Sequence, residues 1–446
     1  MSNSLEQYLN LYRDLSATVD QGSAPALNRL RGEAFDVLSG TRLPNRSDEG
    51  FEKTSIDDMF APDFGLNISR INIPVDLAAS FRCDVPNLST LMGVVANDKF
   101  IPTDTLLRNL PEGVTVMSLT KAAIERPDEI AQAYGSVAPI TNPGVALNTL
   151  FAQDGVYIRI GRGVRIDKPI QIVNIFSSAT PLMAARRVLI VAEEDSQANI
   201  LFCDHSRNDG SKYLSSQVVE IILHRGAAVQ YFDIEESSAD TSRYCQMFVD
   251  QHEASSFKSN SSTLLNGSTR NEFNVNINGQ HCSTGLYGMA IASNKQHIDN
   301  SSNVVHCAPR STSNQLFKYV LDDNASGAFE GNIEVTPNAP FTEAYQSNNN
   351  IIASTDARMY TKPQLLIYND EVKCSHGATT GQLNAEALFY MQARGIPQAE
   401  ARTMLMQAFM IDVINTVTLE SLRDRLRHLV EKRFDNTLAC PTCKGC

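Results

Sequence analysis

Val218-Val219-Glu220-Ile221-Ile222-Leu223 and, after a five-residue gap, Val229-Gln230-Tyr231-Phe232-Asp233-Ile234 decide how this chain folds. Both are short runs of β-branched and aromatic residues, and the gap contains Gly226, so the local reading is two strands joined by a tight corner. Outward from this pair, Val156, Ile158 and Ile160 alternate with other residues, and further runs follow at Ile170 to Ile175, Val188 to Ala192 and Ile200 to Phe202. Strand centres near Ile158, Ile190 and Ile221 lie about thirty residues apart, and those near Ile172, Leu201 and Tyr231 interleave at a similar period. Later the spacing tightens to about fifteen, through Val275, Met289, Val304, Phe317 and Ile333. The connecting segments, such as Ser259-Asn260-Ser261-Ser262-Thr263 and Asp299-Asn300-Ser301-Ser302-Asn303, are rich in residues that suit corners. Repetition at this period is the mark of stacked coils. A doubly wound sheet would need ten or more helical residues between strands, and these gaps are too short. A parallel β-helix is therefore the leading architecture; an antiparallel sandwich stays open, because strand pattern alone does not fix pairing direction.

The flanks read differently. Leu5, Tyr8, Leu9, Tyr12 and Leu15 give an amphipathic helix, and Ala26 to Leu38 a second, stopped at Gly40. Arg42 to Gly65 is a turn-rich connector, after which Ile71 to Val75 and Val114 to Ser118 read as short strands, the first confined to an edge by Pro74. Ser118 to Tyr134 reads as helix from a Ser cap, broken at Pro127. At the other end come helices over Ala385 to Ala393, from Pro397 through Ile411, and from a Thr418 cap onward. The expected organisation is a helical region with connector (1–65), a mixed α/β segment (66–150), a β-helix core (151–383), a C-terminal helical region (384–436) and a cysteine-rich tail (437–446).

Composition excludes several functions. A net charge of -12 and a pI near 5.2 leave no basic surface for nucleic acid. Nine cysteines, an odd number and widely scattered, do not form a disulfide framework, which points to a reducing, cytoplasmic setting. Glu6, Arg13, Asp14 and Asp20 interrupt the first twenty residues, so no signal-peptide core is expected. No run of about 18 apolar residues occurs, so no membrane association is expected.

The stretch that carries chemistry is Cys374-Ser375-His376-Gly377-Ala378-Thr379-Thr380-Gly381. A thiol and an imidazole two residues apart share one face of an extended segment and suit iron, zinc or a cluster. They supply two ligands where a closed site needs about four. The plain alternative is a strand end with a packed Cys and a hydrogen-bonded His. A second thiol group, Cys440, Cys443 and Cys446, could converge on a metal or exchange as a disulfide or persulfide relay, or belong to a tail with no such role. His252-Glu253 lacks the second His of a zinc-protease helix, since residue 256 is Ser. His281-Cys282 and His306-Cys307 are adjacent pairs that point to opposite faces of a strand. Asp204-His205-Ser206 names triad residue types side by side, where a triad needs them to converge from separate segments.

Phe329-Glu330-Gly331-Asn332-Ile333, Ala344-Tyr345-Gln346-Ser347-Asn348, Pro363-Gln364-Leu365-Leu366-Ile367, Lys373-Cys374-Ser375-His376-Gly377-Ala378-Thr379, Phe389-Tyr390 and Arg394-Gly395-Ile396 with Glu400-Ala401 together resemble the SufB/SufD family of iron-sulfur cluster assembly scaffolds. The Ser-His-Gly-Ala-Thr form is similar to SufD more than to SufB. Phe51-Glu52-Lys53-Thr54-Ser55-Ile56 matches an aromatic-rich N-terminal segment loosely, with Phe51 where a Trp is usual. The resemblance implies a right-handed parallel β-helix core flanked by helical N- and C-terminal regions, in a scaffold subunit without catalysis of its own. It implies a SufB-like partner on the β-helix, a SufC-like ABC ATPase on the C-terminal helices, and a transient iron-sulfur cluster shared with the partner, with His376 and Cys374 facing it. It leaves room for a homodimer. A separate ATPase agrees with the lack of a Gly-x-x-x-x-Gly-Lys-Ser/Thr stretch in the chain. Reduced flavin is also associated with the family, although no Gly-x-Gly-x-x-Gly fingerprint is present. The competing function is a β-helix polysaccharide lyase or hydrolase, which would need paired acids in a groove.

Overall fold

The computed structural model describes residues 3–75, 89–207 and 210–435. Between Gly155 and Gly381 the chain winds into coils, and successive strands alternate between two ten-stranded sheets. The first sheet runs from Val114–Ser118 through Gly155–Ile160, Leu182–Ala192, Tyr213–Leu223, Thr241–Gln251, Ser268–Ile277, His297–His306 and Ser326–Val335 to Arg358–Ile367, with the short strand Gly65–Leu66 paired beside Leu182–Ala192 as the tenth. The second runs from Lys99–Pro102 through Leu91–Ala96, Ile170–Phe176, Gln197–Ser206, Ala228–Glu236, Ser256–Leu265, Ser283–Ala292, Thr312–Leu321 and Glu343–Ile352 to Lys373–Gly381. Neighbours are parallel along both sheets, which rules out the antiparallel sandwich. Among the described residues, antiparallel pairs occur only at the N-terminal ends, between Leu91–Ala96 and Lys99–Pro102 and between Val114–Ser118 and Gly155–Ile160. The two spacings seen in the sequence are thus one arrangement: strands about fifteen residues apart alternate sheets, and those about thirty apart are neighbours in one sheet.

Each coil turns a corner through a residue in the left-handed backbone region: Asp195, Gly226, Ala254, His281, Arg310 and Phe341 occupy equivalent places. Each N–H there bonds to a carbonyl of the next coil, for example Asp195 to Arg225 and Arg310 to Pro340. These bonds hold conformations that non-glycine residues adopt only at a cost.

Strand alternation sends Ile158, Ile172, Val188, Ile190, Ile200, Phe202, Val219, Ile221 and Phe257 into the space between the sheets, where all are buried. Each such side chain contributes about 1.5–3 kcal/mol by leaving water. The outer faces are covered by the flanking helices. Leu5, Tyr8 and Leu9 of the helix Asn3–Gln21 pack with Ala146 and Leu150 over Met183, Ala185, Leu214 and Tyr244 of the first sheet. Met406, Met410, Val413, Leu422, Leu426 and Leu429 of the helices Gln398–Ile414 and Glu420–Phe434 pack on Leu201, Cys203, Phe232, Ile234 and Met289 of the second. Polar pins fix this cover: Lys318 Nζ donates to Asp412 Oδ2 at 2.5 Å and to the Phe409 carbonyl at 2.8 Å, and Arg433 Nε donates to the Leu264 carbonyl at 2.6 Å.

Four local expectations change. Residues 259–263 and 299–303 are not corners but lie within the strands Ser256–Leu265 and His297–His306, where their small polar side chains are held by the ladder. Residues 71–75 are irregular rather than a strand, because the Asn67 side chain takes both the N–H and the carbonyl of Ile71, and Pro74 has no N–H to give. The second helix is two, Pro25–Asn28 and Arg31–Ser39. The bend at Arg29 and Leu30 lets Leu27 pack with Leu119 and Ile130 while Ala34 and Leu38 face the first helix. Thr418 does not cap the last helix; its hydroxyl donates to Gln230 Oε1 instead. The Ser118 cap and the break before Pro127 stand as expected.

Candidate functional site

Lys373–Gly381 is the last strand of the second sheet. One edge pairs with Glu343–Ile352, and among the described residues no strand pairs with the other. Cys374 stands in register with Ala344 and His376 with Gln346, so both side chains lie on the inward face of the last coil. Cys374 is half-buried and packs against Ile333, Val335, Ala339 and Ala344, while His376 is exposed. Burial pushes the Cys374 thiol up from its ordinary range, which favours the protonated thiol. Among the described residues no group of three His, Cys, Asp or Glu side chains could hold a metal ion. The pair brings one thiol and one imidazole to the same face of an edge strand. Cys440, Cys443 and Cys446 lie outside the described residues.

The two free edges are not equivalent. Lys373 N–H bonds inward to Thr342, so by the alternation of a parallel strand the backbone groups of Cys374, His376, Ala378 and Thr380 face outward. In the first sheet, Arg358 N–H and Tyr368 N–H bond inward to Ala325 and Val335, which turns residue 363 outward. That residue is Pro363, which carries no N–H and blunts the edge. Lys373–Gly381 has no proline, and it ends a sheet able to accept another strand.

The other sequence candidates fall apart as chemistry. His281 sits on an exposed left-handed corner while Cys282 is buried, its thiol directed at the His252 carbonyl. His306 is buried against Ser313 Oγ at 2.9 Å, and burial pushes it down to about 4, which keeps it neutral; Cys307 lies half-buried on the other face. Asp204 points between the sheets to Arg186, whereas the next residue, His205, faces the opposite way.

What sequence reading missed is the polar content of the interior. Between the sheets, Arg186 Nη1 meets Asp204 Oδ1 at 3.1 Å, and Arg243 Nη2 meets Asp233 Oδ2 at 2.6 Å and Asp204 Oδ2 at 3.4 Å. Arg243 Nη1 is 3.7 Å from Glu235 Oε2, whose carboxyl also takes the Thr269 hydroxyl. Two guanidiniums face three carboxyls out of reach of water. Burial pushes Glu235 up to about 7, so a proton on this carboxyl can offset the excess negative charge. Nearer the open end, Ser302 Oγ donates to Gln315 Oε1 at 2.7 Å and Gln346 Nε2 to the same oxygen at 3.3 Å. The signal was charge and amide at inward strand positions, visible only once the register is known.

Residues 2–172 match a family model described as the SufBD protein N-terminal region, and residues 175–409 one described as the SufBD core domain of SUF-system FeS cluster assembly. The chain is 28% identical over 415 residues to an iron-sulfur cluster assembly SufBD family protein of Synechocystis, covering 91% of each. It is 24% identical over 439 residues to the iron-sulfur cluster assembly protein SufD of Escherichia coli, covering 97% of each. It is 24% identical over 329 residues to SufD of Bacillus subtilis, covering 72% of this chain and 74% of that protein.

Proposed function

Because this chain belongs to the SufB/SufD family of SUF-system iron-sulfur cluster assembly proteins, we propose that it is a non-catalytic scaffold subunit whose open edge docks a SufB-like chain and presents His376 and Cys374 to a nascent cluster. The observation that carries this is the edge itself. A thiol and an imidazole lie on the inward face of a strand whose second edge is unpaired among the described residues, and the opposite sheet is blunted by Pro363. Strand addition there would extend the second sheet across the seam and bring the partner's side chains to the missing ligand positions. The cluster is cargo, and incomplete ligation lets it leave. A homodimer would use the same edge when the SufB-like chain is absent.

The C-terminal helices suit a second partner. Ala385–Ala393 buries no residue of its own, and it exposes Phe389 at 71% and Tyr390 at 58%. Met404 and Ile411 on the next helix are also exposed. Apolar exposure of this kind marks a protein-protein surface, here assigned to a SufC-like ATPase that supplies the nucleotide chemistry. No helix among the described residues is long and apolar enough to cross a membrane; the scattered cysteines are what support a reducing, cytoplasmic setting for the complex.

Replacing His376 with Ala in the co-expressed complex should lower cluster yield about 10-fold or more, as loss of a ligand or its immediate support does. The three-protein complex should still co-purify. Normal yield from that variant would overturn the assignment of His376.

A further inference from the structure

Gln315, Gln346 and His376 occupy one inward column of the second sheet, on three successive coils. Gln315 is fully buried and Gln346 is 2% exposed. Gln315 Oε1 accepts from Ser302 Oγ and from Gln346 Nε2, so the Gln346 amide turns its nitrogen toward Gln315, while the buried Gln315 Nε2 has no partner among the described residues. Its oxygen is left for the other side, where the next residue in the column is His376. Gln346 Oε1 is buried and has no hydrogen-bond partner among the described residues. The seat is tight as well: a Cβ at Gly331 would lie 2.2 Å from Gln346 Nε2, so glycine at that position is what admits the glutamine.

We propose that Gln346 is a positioning residue for His376: its Oε1 accepts the ring N–H of the imidazole, which fixes the tautomer and leaves the other ring nitrogen free to face the docking edge. A buried acceptor without a donor is unfavourable, and adjacent strands stand about 4.8 Å apart, within reach of an imidazole that is not otherwise held. A ligating histidine is normally oriented through its second nitrogen in this way. The bond itself is independent of any cargo; its meaning for cluster assembly rests on the reading of His376 given above.

The full chain labelled with ¹⁵N-histidine tests this, with the His376 ring signals assigned by their loss in His376→Asn. Wild-type His376 should hold one neutral tautomer in excess of the ratio shown by the exposed His281. Gln346→Met should return it to the His281 ratio and lower cluster yield in the complex by about 10-fold. Gln346→Glu, which keeps an acceptor, should hold the bias. A wild-type His376 ratio equal to that of His281, or a folded Gln346→Met chain with the bias unchanged, overturns the proposal. The wild-type comparison decides even where Gln346→Met does not fold. Normal cluster yield from His376→Ala would sink the site reading and leave the tautomer result standing, so the two failures are distinguishable.

Discussion

At its N-terminal end the solenoid closes both sheets with antiparallel pairs and fills the interior with Ile158, Ile172, Val188, Ile190 and Ile200. At its C-terminal end the last strands are parallel, half-exposed and uncovered, and the interior just behind them holds Ser302, Gln315, Gln346, Asn348 and Asn350. The first end is built for stability, since branched aliphatics dominate its interior beside the paired Arg186 and Asp204, and a closed edge recruits nothing. On the proposed function the second end serves recognition: an exposed edge and polar interior groups suit a second chain that supplies the missing contacts. The two ends of one repeat therefore do different work with the same backbone.

The largest effect should come from the sealed interior. Arg243→Met would leave Asp204, Asp233 and Glu235 facing each other around a single guanidinium, and removing one partner of a buried pair typically costs about 3–5 kcal/mol. Urea unfolding should register that loss, whereas an equivalent change at the exposed end, Lys373→Met beside Glu343, should leave the unfolding midpoint nearly unchanged, since an exposed ion pair is screened by solvent. Equal losses at both positions would erase the contrast between the ends.

A smaller effect is pH-dependent. Glu235 is pushed up to about 7 by burial, above its value in the unfolded chain. A carboxyl raised by folding contributes stability that is fully present below its unfolded pKa, near 4.5, and is lost as pH rises through about 7. Stability attributable to this group should therefore fall by about 1–3 kcal/mol between pH 5 and pH 8, and Glu235→Gln should flatten the profile. An identical slope in the variant would place the titration elsewhere.

Much of this plan is legible from the residues. β-branched runs and their spacing give the coils, because an inward strand position must be apolar whichever sheet it joins. Pairing direction is not legible, since a strand looks the same from either side, and Ile71 to Val75 misleads because Asn67 takes its hydrogen bonds. At the site, the shared face of Cys374 and His376 follows from their two-residue spacing. Their place at an unpaired edge does not follow, because nothing in the tripeptide says that no strand comes next. The column Gln315, Gln346 and His376 is spaced by 31 and then 30 residues, a link that becomes visible only when the period is known. Arg186 and Arg243 meet around Asp204 from strands two coils apart, which no short motif records.

The most direct test of the docking edge is Ala378→Pro. Ala378 directs its backbone groups away from the fold, so proline there should change the stability of the isolated chain by under about 1 kcal/mol, as Pro363 is already tolerated on the neighbouring edge. Association with the SufB-like chain, measured by titration of the purified subunits, should weaken at least about tenfold because a strand-to-strand hydrogen bond at the seam is lost and the ring intrudes. Unchanged affinity in a folded Ala378→Pro chain would contradict the claim that this edge is where the second subunit joins.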